Sequence, residues 1–187
     1  MKTKLLYVLI AMALFACKED DENEPVAPVI PNEEEVITTV RYTLTPSGGG
    51  TVKIFQFQDL DGDGGNMPVI SGDTLDLNRS YTGSLEFFNE LETPADTITN
   101  EVLEEGDEHQ VFYQNTSGDF VVAYTDTDRN GNPIGLSTTF ESKTAGGLLT
   151  VILRHEPNKT ATGVPGGDIT NAGGETDIEV VFPVNVR

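Results

Sequence analysis

From residue 36 onward, apolar or β-branched side chains recur at every second position. Val36, Thr38, Val40, Tyr42 and Leu44 would share one face of an extended chain, and Pro46 with Gly48, Gly49 and Gly50 closes the run. A period of two scatters side chains around a helix but gathers them on one side of a strand, so this pattern predicts a strand followed by a turn. Similar short runs follow at residues 51–57, 74–77, 84–88, 98–103, 111–114, 120–124, 136–141, 148–154 and 176–186, nearly all bounded by Gly, Pro, Asn or Asp. No window of helical length keeps an apolar stripe at 3.6-residue spacing. The one stretch tolerant of helix, residues 100–110, is mostly acidic and contains Gly106, so little or no helix is expected. The expected fold class is all-β: an antiparallel β-sandwich of immunoglobulin-like type, with a small closed barrel as the alternative. Ile178, Val180, Phe182, Val184 and Val186 alternate to the end of the chain, and so long a final strand is expected inside a sheet.

The start of the chain has a different composition. Lys2 and Lys4 precede the apolar run 5–16, which is too short to span a bilayer, since a spanning helix needs about 20 residues. A basic start and apolar middle have the layout of a secretory signal, and Leu14-Phe15-Ala16-Cys17 resembles the site where lipoprotein precursors are cut before a cysteine. The expected domains are therefore a signal peptide over 1–16, a tether over 17–35 beginning at a lipid-modified Cys17, and one β-sandwich domain over 36–187. Fatty acyl chains such as palmitate on Cys17 would be the membrane attachment. Cys17 is the only cysteine, so no disulfide staples the fold and stability must come from a core that a domain of this length can bury. Residues 18–35 hold eight acidic residues and three prolines, a composition that keeps a segment extended and solvated. The net charge of -20 excludes nucleic acid as a partner by repulsion, and it excludes docking on anionic lipid through a basic face.

Two octets echo one another: Asp59, Asp61 and Asp63 in the first correspond to Asp126, Asp128 and Asn130 in the second, and each octet ends in glycine. Both match the opening half of a calcium loop, whose side chains at positions one, three and five converge on a cation. Position twelve, where an EF-hand places a bidentate Glu, is Ile70 or Ser137, so these are not EF-hands. Short Asp-rich Ca²⁺ loops and plain hairpin turns remain the two readings. The two histidines, His109 and His155, each adjoin a carboxylate, Glu108 and Glu156 respectively. A site built from these four residues would suit zinc or another transition metal, if the two segments meet. No Gly-x-Ser-x-Gly elbow, His-Glu-x-x-His helix or phosphate loop with lysine occurs, and no catalytic residue is assigned.

Cys17-Lys18-Glu19-Asp20-Asp21-Glu22 resembles the surface-export signal of Bacteroidota lipoproteins. Asp73-Thr74-Leu75 and Asp96-Thr97-Ile98 look like O-glycan acceptors of exported proteins in that phylum, with Thr74 and Thr97 as the acceptors. Together with DLDGDGGN at 59–66, DEHQ at 107–110, NGNPIGL at 130–136, RHEPNK at 154–159 and GGETD at 173–177, these features resemble an uncharacterised family of small, flavobacterial-type Bacteroidota outer-membrane lipoproteins. The resemblance implies an anchored protein facing the cell exterior. It brings no activity with it. The function expected is a non-enzymatic module presenting acidic loops to a cation, a small ligand or an outer-membrane transporter. The alternatives are a structural or adhesive surface module without a small ligand, and transition-metal capture through His109 and His155.

Overall fold

Alternation along residues 39–46 is realised as strand β1 (Thr39–Pro46), which buries Val40, Tyr42 and Leu44 and leaves Arg41, Thr43 and Thr45 on the outer face. The computed structural model describes residues 35–62, 64–116 and 119–187. The expected signal peptide, Cys17, the part of the expected tether before Glu35, and Asp63 lie outside the described residues.

β1 pairs antiparallel with β2 (Lys53–Gln58) on one side and β5 (Ser80–Phe88) on the other. β2 carries β3 (Val69–Gly72), β5 carries β8 (Ser137–Ser142), and β8 carries β7 (Phe120–Tyr124), which completes a six-stranded sheet ordered β3-β2-β1-β5-β8-β7. The second sheet has the order β4-β10-β9-β6, from β4 (Thr74–Leu75), β10 (Glu175–Val186), β9 (Gly147–His155) and β6 (His109–Asn115). Among the described residues only the two-residue pairing of β4 with β10 is parallel. The sheets pack against one another as a sandwich, the architecture expected from the alternation. Aromatic side chains join them: Tyr42 meets Tyr113 at 5.5 Å between ring centroids, and Phe55 meets Phe182 edge-on at 6.0 Å. The terminal strand β10 lies between β4 and β9, as expected for a long alternating run.

Two elements differ from expectation. Residues 98–103 form no strand; Thr99–Glu104 is a helix, α1, with Val102 buried in the core and Leu103 exposed. Ile98 and Val102 are four residues apart, and the helical turn puts both into the core while Asn100 and Glu101 face water and Thr99 binds the Phe87 backbone. β3 has no apolar alternation and all four of its residues are exposed. It is a strand because its backbone completes a ladder on the edge of β2.

One glycine is required by a close approach. Gly83 of β5 pairs with Leu44 of β1 and Thr138 of β8, and a Cβ there would collide with the Tyr42 hydroxyl and with Thr138 Oγ1. The gap lets Tyr42 reach across β5 to make a buried 2.7 Å hydrogen bond with Thr138. Tyr42→Phe removes that bond and leaves Thr138 without this partner, at an expected cost of about 1–2 kcal/mol in denaturant unfolding. Gly83→Ala destroys the same bond and adds a steric clash, so it is expected to cost more; a smaller loss than for Tyr42→Phe would contradict the packing described.

Candidate functional site

Strand registers bring the start of β1, the ends of β2 and β5, the start of β6, the end of β9 and the start of β10 toward one end of the sandwich. This end is strongly acidic. A cleft of about 730 Å³ opens there between the two sheets, lined by Glu35, Asp59, Asp61, Asp177 and Glu179 together with apolar groups such as Phe57, Leu60 and Ile178. None of its described lining residues is basic. Burial pushes the Glu35 carboxyl up to about 7, assisted by a hydrogen bond to Glu101 and by the charges of Glu101, Glu105 and Asp177. Desolvation at the edge of the cleft is thus the main reason that this acid resists ionisation, and the neighbouring negative charges act in the same direction.

The first Asp loop forms one wall of this cleft. Asp59 Oδ1 accepts from the Gly62 amide at 2.9 Å, and Asp61 Oδ2 accepts from the Asn66 backbone and side-chain nitrogens at 3.0 and 2.7 Å. The Asn66 donors hold the Asp61 carboxyl below the usual carboxylate range. Asp59, half-buried, and Asp61, exposed, thus stand at the mouth of the cleft in a loop braced by its own amides.

The second loop has a different use. Both oxygens of Asp126 accept backbone amides, from Gly135 and Ser137, each at 2.9 Å. Asp128 accepts from the amides of Asn130 and Asn132 at 2.8 and 2.9 Å, and its Oδ2 lies 2.8 Å from Lys159 Nζ. Lys159 is itself buried and donates further to the carbonyls of Gly106 (2.5 Å) and His109 (2.8 Å). The cationic position beside the second loop is filled by an ammonium of the protein. Arg129 pairs with Asp107, and the Asn130 amide belongs to the turn. The loop is a strut between β7 and the segment after β9. A second cleft, of about 500 Å³, runs beside β7 and is lined by Tyr113, Tyr124, Pro133 and Pro165; its one carboxylate, Asp126, is the residue already engaged by two amides.

The two histidines do meet. His109 and His155 are register partners across β6 and β9, and their rings stack at 4.6 Å and 21°. They serve different neighbours. His109 is buried, its Nδ1 lies 3.3 Å from the Glu105 carbonyl and its Nε2 faces Asp177 at 4.0 Å. Burial lowers its proton affinity, with the Glu105 carbonyl opposing the shift. His155 Nε2 instead faces Glu108 Oε2 at 3.9 Å, and Glu156 completes a group whose donor atoms all lie within 4.8 Å of one another. Asp177 had no signal in the sequence. It sits at a bulge in β10, where the register slips between Thr176 and Ile178, and a bulge re-aims the extra side chain, here to a nearly buried position against His109. Thr74 is half-buried in β4, and Thr97 is half-buried just before α1.

No helix among the described residues is long and apolar enough to cross a membrane. Comparison with protein-family models, curated proteins and solved structures finds no match for this chain.

Proposed function

We propose that this protein is a non-enzymatic binding module, anchored by lipid on Cys17 to the outer membrane and facing outward, that offers the acidic end of its sandwich to a divalent cation. The observation that carries the reading is the cleft lined by five carboxylates, with no basic group among its described lining residues. Carboxylate oxygens on Asp59 and Asp61 at its mouth suit a hard ion, and Ca²⁺ is the probe of choice. The address rests on the sequence: the processing site before Cys17 and the lysine and acidic residues that follow it. An outer-membrane transporter is the natural partner for a module so placed.

The proton on Glu35 supplies a signature. Its raised affinity means that ionisation between the ordinary 4.5 and about 7 works against the fold, so this group destabilises the empty protein progressively as pH rises through that window. A cation in the cleft opposes this and displaces the proton, so binding releases protons in this pH window. Calorimetry with Ca²⁺ is expected to give heat that varies with the ionisation enthalpy of the buffer, and a higher melting temperature. Asp59→Asn with Asp61→Asn is expected to weaken both effects, and Glu35→Gln to remove the buffer dependence. Silence in the calorimeter together with an unmoved melting temperature would defeat the cation reading. Mass spectrometry of the native protein tests the address, which an unmodified Cys17 would overturn.

A further inference from the structure

We infer that Glu108, His155 and Glu156 form a separate site for a borderline transition-metal dication, of which Zn²⁺ is the representative. The three residues do not line the acidic cleft, and their donor set differs from it by one imidazole nitrogen. Imidazole with two carboxylates suits Zn²⁺ and its neighbours in the first transition row, whereas Ca²⁺ takes oxygen. Charge balances as well, because two carboxylates neutralise one dication around a neutral ring.

The geometry is close to what such an ion needs. Zinc bonds of 2.0–2.2 Å at tetrahedral angles hold donor atoms roughly 3.4 Å apart. Here His155 Nε2 and Glu108 Oε2 are 3.9 Å apart, and the full set lies within 4.8 Å. Glu108 and Glu156 are exposed, so rotation of their side chains closes the remaining gap without moving the fold. The ring between them is fixed: His155 is buried at the end of β9 and stacked on His109. The two carboxylate-bearing residues are also joined through their backbones, since the Glu156 amide donates to the Glu108 carbonyl at 2.6 Å. Three protein donors leave a fourth position for water or for a ligand carried with the metal. His109 is not part of the set, because its Nε2 faces Asp177.

Glu156 gives the test its sharpest variant. It adopts a φ of 48°, a left-handed conformation that strains residues with a Cβ and that glycine adopts without steric strain. Glu156→Gly therefore deletes a metal donor while easing the backbone, so loss of binding in this variant is not a folding failure. Zn²⁺ titration of the full chain by calorimetry, with Co²⁺ absorption as a reporter of tetrahedral coordination, should show one ion per chain. Glu156→Gly, at equal or higher melting temperature, should weaken Zn²⁺ more than about a hundredfold, beyond what loss of an outer-sphere partner brings; His155→Ala and Glu108→Gln should do the same. Asp59→Asn with Asp61→Asn should leave Zn²⁺ affinity unchanged, so the site survives even if the cleft takes no Ca²⁺. The inference is overturned if Zn²⁺ fails to bind, if Glu156→Gly binds it as well as the parent, or if only the Asp59 and Asp61 substitutions weaken it.

Discussion

Replacing Asp128 with alanine should lower the melting temperature by about 10 °C. Lys159 carries its charge into the interior between the second Asp loop and the start of β6, where Asp128 Oδ2 and the carbonyls of Gly106 and His109 are its acceptors. Removing one partner of a buried ion pair leaves the other charge desolvated and uncompensated, which costs about 3–5 kcal/mol. For a domain of this size each kcal/mol moves the transition by about 2–4 °C. Asp128→Asn keeps an acceptor for the Asn130 and Asn132 amides but not the charge, so it should fall between the parent and Asp128→Ala.

The pH dependence of that deficit has a definite sign. Burial alone would raise the Asp128 carboxyl, but the Lys159 ammonium and the Asn132 and Asn130 amides outweigh it, and the group lies below the usual carboxylate range. Its contribution is therefore complete above the ordinary carboxylate range and is lost as pH falls through its lowered value. Burial pushes the Lys159 ammonium below the usual lysine range, with Asp128 opposing the shift. Without Asp128 it falls further, so the Asp128→Ala variant should recover part of its deficit in alkaline solution as Lys159 loses its proton. A deficit independent of pH would mean that the pair acts through packing alone.

Phe182→Ala should cost about 3–5 kcal/mol, the range for removing a fully enclosed aromatic ring. Phe182 has no exposed surface and lies edge-on to Phe55 of the opposite sheet, so its loss leaves a void at the contact between the two sheets. Its neighbour Val181 points outward and is 38% exposed, and Val181→Ala should stay within about 0.5 kcal/mol. The two substitutions differ by one position and by a whole face of the sheet. Equal costs in urea unfolding would refute the register of β10.

The candidate sites were legible to different degrees, for reasons that lie in particular residues. Glu108, His155 and Glu156 could be named from their types and neighbours, but that they share one end of the molecule follows from the β6–β9 register. The two Asp loops look alike in sequence and diverge in use. The difference is Lys159, far along the chain, whose ammonium reaches Asp128 and not the first loop. Asp177 and Glu35 carry no local signal, since a bulge in one strand and the entry of the chain beside α1 place them.

Side-chain periodicity by itself determined the fold class, most of the strands and the buried face of strands such as β1 and β10, because alternation is a property of consecutive residues and burial of one face follows from it; β6 and β9 bury residues on both faces. Tertiary structure alone decided that residues 99–104 turn into a helix, that β3 exists, and which carboxylates gather at the acidic end. Those outcomes depend on partners distant in sequence: a core that accepts Ile98 and Val102 together, a free edge on β2, and registers between strands that no local pattern encodes.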